Sequence, residues 1–432
     1  MSGAGEGAEP MTAQTSTLDT GQVYVSQTRR RIMGLVFLGI AALIWFAFVR
    51  GIDPEMTTTM RLYPGGSKVV VEDWQFNTLG ALQILAFACA ALGAYQLARG
   101  FGKRTGLVLS LIGGMFVFAF LSWAASGGML NLAGMLRIMF VRSVPLTLGA
   151  LSGILCERAG VVNIAIEGMM LTAAMIGTIV GSVSNLWVGL LSAVIAGGLL
   201  GLFHAILAIK YRTDQIISGT VINIFAVGIT SFISAKFMQR YPQINDPGVF
   251  SPYEIPLLSQ IPFLGPVLFR HNIFVYAMIF FVALLTFMLF KTRWGLRLRA
   301  VGEHPKAADT LGINVFKTRY MAVILGGMMA GFAGAYFTLG SVGRFDQVMT
   351  AGRGFIALAA MIFGNWTPLG AMVAGLLFGF SDSLAANLAV LRVKIPSEFL
   401  LMTPYVITML VLAGVVGRGQ MPAADGTPYD KE

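Results

Sequence analysis

Charge is what this sequence has least of. Of its 432 residues only 12% are charged, while 56% are hydrophobic, and the mean hydropathy is +0.76. A soluble domain carries about one quarter charged residues, so a globule of this length would lack the polar groups to cover its surface. A cytosolic enzyme and a disordered protein are excluded. Cysteine is almost absent: Cys89 and Cys156 stand far apart with no CxxC, which excludes a disulfide scaffold. The three histidines, His204, His271 and His304, are scattered and form no metal-ligand spacing. There is no GxxxxGK[ST]; the nearest string, Gly102-Lys103-Arg104, lacks the hydroxyl that would ligate magnesium. GxSxG, HExxH and a twin-Asp site within an apolar run are also missing, so an intramembrane hydrolase has little support.

What is present is long apolar runs. A bilayer core of about 30 Å needs roughly 20 apolar residues per helix. Such runs fall at 33–49, 78–97, 106–125, 132–154, 164–183, 186–209, 215–237, 273–290, 320–341, 355–366, 367–389 and 397–415. The expected fold is therefore an all-α polytopic membrane protein with about twelve hydrophobic segments. The run 355–366 (FIALAAMIFGNW) is too short to span and reads as a half-helix, tolerated only where protein covers its ends. Residues 1–28 are rich in Gly, Ala, Thr and Ser and read as a disordered tail. Arg29 to Arg31 before the first run resemble the start of a signal peptide, but the leader is long and no small-x-small site follows, so an uncleaved helix is expected.

The net charge of +10 raises the question of nucleic acid. With the N-terminus inside, alternation of the spans places eighteen Lys and Arg on the inner side and ten on the outer, with Arg137 and Arg142 at or within the fourth run. This bias obeys the positive-inside rule and predicts both termini inside. The charge sets orientation, and no nucleic-acid partner is expected. Two outer loops are long, 51–76 and 239–272. The second is rich in Pro with apolar residues between, and reads either as a cap over the bundle or as a docking surface for an external partner.

Ion-coupled transporters carry several buried acids as relays. Here Glu167, Asp214 and Asp382 are the few candidates. Asp214 sits at a helix start, where a cap or a salt bridge is the plain reading. Glu167 shares a helix face with Asn163 after the unwound ERAGVVN stretch. Either it caps a helix start, or this polar face lines a permeation path. The inner loop 291–319 holds seven basic residues around a possible two-turn helix. Pro305 suits its first position, Gly312 the residue just past its end, and Ala307 and Ala308 leave a small, smooth side. A helix of this kind either docks a partner or rests on lipid headgroups.

These residues also carry a resemblance. EHPKAADTLGI resembles the coupling segment, Glu-x3-Ala-Ala-x3-Gly in form, of ABC importer permeases, matched here by Glu303, Ala307, Ala308 and Gly312, with Pro305 inside it. LTLGALSGILCERAGVVNIAIEGMMLTAAMIG, DQIISGTVINIFA and TPLGAMVAGLLFGFSDSL are similar to the branched-chain amino acid/ribose/nucleoside permease family. ERAGVVNIAIEGMM resembles its purine-nucleoside branch more than its ribose branch. The likeness covers about 140–415. It leaves 29–125 as extra N-terminal membrane helices before a core at 126–416, with a C-terminal tail at 417–432.

The resemblance implies a membrane subunit of an ATP-driven importer in a bacterial inner membrane. It would be no enzyme and would hold no cofactor of its own. It would work with cytoplasmic ABC ATPase subunits, a second permease (a heterodimer in the nucleoside branch) and an extracytoplasmic solute-binding protein or lipoprotein. The solute would be a nucleoside, or else a simple sugar such as ribose; an ion-coupled secondary transporter and a membrane receptor or enzyme are the other classes. A weak repeat, GVVNIAIEGMMLTAAMIG against GNWTPLGAMVAGLLFGF, puts a break before a small-residue helix in each half and points to a midplane site. The expected path residues are Asn163, Glu167, Asn223, Asn365, Trp366 and Asp382, with Trp366 either stacking on a base or anchoring an interface.

Overall fold

The computed structural model describes residues 27–390, 402 and 421–431. Ten of its helices are long and apolar enough to cross a membrane, and an eleventh apolar helix is short. The chain is thus an all-α polytopic membrane protein. The segment expected at 397–415 and the tail 1–26 lie outside the described residues. The chain divides into two compact units, residues 1–58 with 75–128, and residues 59–74 with 129–432.

The first unit holds α1 (Gln27–Leu43, continued as a wider turn over Ile44–Val49), α2 (Thr78–Ala98) and α3 (Thr105–Ala124). Phe37, Ile44, Leu82, Cys89 and Ile112 form its core. Phe48 stacks on Trp123 with ring centroids 5.3 Å apart. Thr58 bonds both the Thr78 hydroxyl, at 2.8 Å, and the Ser122 carbonyl, at 2.9 Å, which fixes where α2 and α3 meet the connecting loop. Ile84 and Leu107, each 70% exposed, face outward, as side chains solvated by lipid do.

The second unit holds α4 (Leu132–Glu157), α5 (Ile166–Val183), α6 (Leu186–Ala205), α7 (Gln215–Ile233), a single turn α8 (Leu264–Leu268), α9 (Ile273–Lys291), α10 (Arg293–Glu303), α11 (Pro305–Thr310), α12 (Val315–Phe337), the short α13 (Arg353–Phe363) and α14 (Pro368–Val390). Asn131, Asn185, Asp214, Asn272 and Asn314 cap α4, α6, α7, α9 and α12, each accepting from a backbone N–H of the first turn. These caps satisfy donors that a helix cannot pair itself, and they settle Asp214 as a cap. The Asn314 cap also explains why α12 starts at Val315 and not near 320.

α4 is the axis of this unit and is buried without a gap from Ser143 to Glu157. α6 and α12 press together on glycine. A Cβ on Gly197 would run into the Gly327 carbonyl, and one on Gly201 would lie 2.7 Å from the Val323 carbonyl. Such small-x3-small contacts let backbones approach where no hydrophobic force separates helix from lipid. In the long loop, Tyr253–Glu254 pairs antiparallel with Arg270–His271. The Arg270 guanidinium reaches Glu254 at 3.1 Å and donates to the Gly66 carbonyl at 2.8 Å, joining the two long loops.

Candidate solute passage and coupling surface

The break between α4 and α5 interrupts the helical ladder, and polar side chains take up backbone groups from Val162 onward. Gln215 accepts from the Val162 N–H at 2.7 Å, and His204 Nε2 bonds the Val162 carbonyl at 2.9 Å while its Nδ1 meets the Ser218 hydroxyl. Asn163 accepts from the Ala165 N–H at 3.1 Å and donates to the sulfurs of Cys156 and Met169. Asn223 accepts from the Gly168 N–H at 2.7 Å and donates to the Ile164 carbonyl at 2.9 Å. Buried backbone must be paired, and each of these side chains answers one such need.

Glu167 does the same for α13. One carboxylate oxygen accepts from the Thr350 hydroxyl at 2.6 Å and the Gly352 N–H at 2.8 Å, and the other from the Gly354 N–H at 2.6 Å. The carboxylate therefore caps the start of α13, where the helix dipole favours negative charge.

The break between α13 and α14 is strained. Asn365 and Trp366 both adopt φ of +51°, a region that costs L-residues roughly 1–2 kcal/mol each. Arg158 holds it by donating to the carbonyls of Trp366, at 3.0 Å, and Asn365, at 3.3 Å. Glu157 accepts from the Trp366 indole N–H at 2.6 Å.

Of the six expected path residues, Asn163, Glu167, Asn223 and Trp366 are thus buried, with their polar groups bonded inside the protein. Trp366 is 5% exposed and offers no ring face to a base in this conformation. In this conformation these four side chains fasten the two helix breaks. Asn365 is exposed at the turn between α13 and α14. Asp382 has different surroundings.

Asp382 on α14 lies within electrostatic reach of Arg142 on α4 and Arg353 at the start of α13. Arg142 and Arg353 line a cavity of about 440 Å³ together with Tyr336, Phe337, Ser341 and Asp346. The Tyr336 hydroxyl donates to the Val141 carbonyl at 2.8 Å, and the Arg353 guanidinium lies 5.7 Å from the centre of the Phe337 ring. Arg142 stands fifteen residues before the end of α4 at Glu157, which is roughly 22 Å of helix, and it is exposed. An ionised side chain at that depth is costly in hydrocarbon, and such residues face water-filled cavities or other protein. Sequence reasoning counted Arg142 only as a charge within a span. That an arginine lay there at all was the available signal.

At the end of the molecule where α10, α11 and the α4–α5 break meet, α11 stands out from the body. Pro305 is its first residue, His304 caps it by accepting from the Ala307 N–H at 3.1 Å, and Gly312 follows at φ +79°. Glu303, Ala307 and Gly312 are exposed and Leu311 is 81% exposed, while Ala308 is buried against Val301 and Val315. α10 packs so close that a Cβ on Gly302 would strike the Arg158 carbonyl.

The segment 421–431 lies across this surface. The Ala424 N–H donates to the Gly302 carbonyl at 2.9 Å, the Ala423 N–H to Glu303 at 3.3 Å, and the Tyr429 hydroxyl to Asp309 at 2.9 Å. Arg319 donates to the Thr427 carbonyl at 2.9 Å, Tyr429 packs on Phe316, and Arg212 pairs with Asp430. Burial pushes the Asp425 carboxyl up to about 7, against the opposing pull of Glu157, the Gly426 N–H and Arg319. Nothing in the composition of the tail foretold this docking.

A many-span helical bundle with broken helices, a charged cavity within the span and an exposed helix between two spans defines a membrane permease. Residues 134–416 match the model of the family described as branched-chain amino acid transport system / permease component, and the chain belongs to that family. It is 42% identical over 302 residues to the guanosine ABC transporter permease protein NupQ of Bacillus subtilis, covering 67% of this chain and 94% of that one. It is 41% identical over 305 residues to the nucleoside ABC transporter permease protein NupC of Lactococcus lactis, covering 68% of this chain and 95% of that one. A second Bacillus subtilis protein, the guanosine ABC transporter permease protein NupP, is 27% identical over 266 residues, covering 59% and 74% of the two chains. No solved structure matches.

Proposed function

We propose that the chain is the membrane-spanning subunit of an ATP-driven ABC importer for nucleosides. In this reading both termini and α11 lie on the cytoplasmic side, and the long loops 51–76 and 239–272 face outward. A separate ATPase seats on α11. The observation that carries the reading is α11 itself, an exposed helix followed by an 81% exposed Leu311 yet tied through α10 to the α4 terminus. A solute-binding lipoprotein meets the outer loops, where Leu257 is 79% and Tyr253 62% exposed. The second permease is a different chain, a reading supported by the two Bacillus subtilis relatives of unequal similarity.

The mechanism follows from these contacts. ATP closes the ATPase pair, α11 and α10 move with it, and Gly302 carries the shift to Arg158. Arg158 holds the strained turn at 365–366 between α13, whose Arg353 lines the charged cavity, and α14, which carries Asp382. ATP shifts this equilibrium only by binding the two states unequally.

The test is Ala307→Trp, a change at an exposed site that leaves the body of the protein intact. Loss of copurification with the ATPase, with the chain at its normal level in the membrane, is the expected result. Undiminished copurification would sink the docking assignment. Uptake of labelled nucleoside that collapses with a proton ionophore at constant ATP would assign the chain to ion-coupled transport.

A further inference from the structure

The charged cavity has a donor surplus, and that surplus selects a kind of base. Arg142 brings five N–H donors and no acceptor on a planar fork, and the structure leaves it exposed at the cavity wall within the membrane span. Its electrostatic counterweight, Asp382, is shared with Arg353. Arg353 in turn is occupied by the Thr350 carbonyl, at 3.5 Å, and by the Phe337 ring. The Tyr336 hydroxyl is spent on the Val141 carbonyl. Asp346 on the same wall is paired with Arg344 at 3.3 Å, and Ser341 is bonded to Tyr336. Among the described residues the group left to meet a solute is therefore the Arg142 fork, beside the aromatic wall of Phe337. A cavity of about 440 Å³ lies in the range of small-molecule sites, about 300–1,000 Å³.

We propose that Arg142 is a specificity-determining residue that reads the acceptor edge of the base, so that the passage favours 6-oxopurine nucleosides over 6-aminopurine ones. This inference rests on the nucleoside reading above. A 6-oxopurine presents O6 and N7 side by side as two acceptors, the pair that a guanidinium meets bidentately. Adenine presents an amino donor beside N7, which sets donor against donor. Ribose is common to both and cancels from the comparison.

The experiment uses the complete transporter in the organism's own cells, with the chromosomal copy changed to Arg142→Gln or Arg142→Lys. Initial uptake of labelled inosine and adenosine is measured in parallel, with the chain quantified in the membrane. Selectivity contributed by a separate binding protein is the same in every strain, so the change in the inosine-to-adenosine ratio isolates this residue. The expected result is a fall in that ratio of about fivefold for Arg142→Gln, the lower end of what one bidentate pair discriminates. For Arg142→Lys the fall is smaller, because an ammonium keeps the charge and loses the fork.

A ratio unchanged in both variants would overturn the proposal. So would equal loss of both uptakes at normal chain level, which would assign Arg142 to a contact with the second permease subunit. Wild-type cells that gain neither nucleoside through this chain would overturn the nucleoside reading itself, and the inference with it.

Discussion

Removing the Glu167 side chain has a cost whose size follows from the structure. Its carboxylate accepts three hydrogen bonds, at 2.6, 2.8 and 2.6 Å, from Thr350, Gly352 and Gly354, and it is 6% exposed. A donor stranded in a buried site costs about 1–3 kcal/mol, so Glu167→Ala strands three and costs roughly 3–9 kcal/mol. Water entering the space left by the side chain brings the figure toward the lower end. Glu167→Gln keeps one acceptor oxygen and turns the other into a donor facing a donor, at a cost of about 2–4 kcal/mol by the same reckoning. Thr350→Val removes one donor and costs about 1 kcal/mol. The assay is the apparent Tm of the detergent-solubilised full chain for the single variants and for Glu167→Gln combined with Thr350→Val. Because the two residues share a bond, the double variant should lose measurably less than the sum of the singles. Strict additivity, or a Glu167→Gln protein that melts with the wild type, would refute the cap and return Glu167 to the solute passage.

Four other outcomes are expected. Gly197→Val forces a side chain into the Gly327 carbonyl of the facing helix and should lower the apparent Tm by the equivalent of about 1–3 kcal/mol or more; an unchanged Tm would mean that α6 and α12 do not touch there. Trp366→Phe leaves Glu157 without its indole donor and should cost about 1–3 kcal/mol, read as a lower Tm and slower uptake. Truncation after 420 removes the bonds to Gly302, Asp309 and Arg319 and should reduce uptake several-fold while membrane levels stay normal; full uptake would make the docked tail dispensable. The tail should also loosen with pH. The Asp425 carboxyl is raised to about 7 when docked and sits near 3.9 when free. Docking is therefore favoured fully below about pH 4, and that contribution is lost as pH rises through about 7. Hydrogen exchange at 421–431, corrected for its intrinsic rate, should show more protection at pH 6 than at pH 8, and Asp425→Asn should reduce the difference.

How much of this was legible in the sequence depends on the range of the forces involved. The spans were legible because crossing a bilayer needs an apolar run and nothing else, and α13 declared itself by being too short. The start and stop of α11 could be read from Pro305 and Gly312, since capping is a local matter. The bonds that the expected path residues make were not legible, for a physical reason. Polar residues beside a helix break serve either the solute or the stranded backbone, and composition alone does not separate the two. Glu167 finds its partners at Thr350, Gly352 and Gly354, two of them backbone N–H groups that carry no residue signature.

Arg142 and Asp382 lie 240 positions apart in the chain, so their meeting belongs to tertiary packing. The tail at 421–431 has no periodicity, and beyond a few local turn bonds it is held by distant contacts. A common rule connects these cases. In a chain with so little charge, an ionisable group inside the span must be either consumed by the protein or turned toward a passage. Glu157, Arg158 and Glu167 have hydrogen-bond partners that consume them. Arg142 is exposed and has an electrostatic neighbour but, among the described residues, no bond that uses up its fork, and that difference in bookkeeping makes it, and not the more conspicuous acids of the α4–α5 break, the side chain on which selectivity should turn.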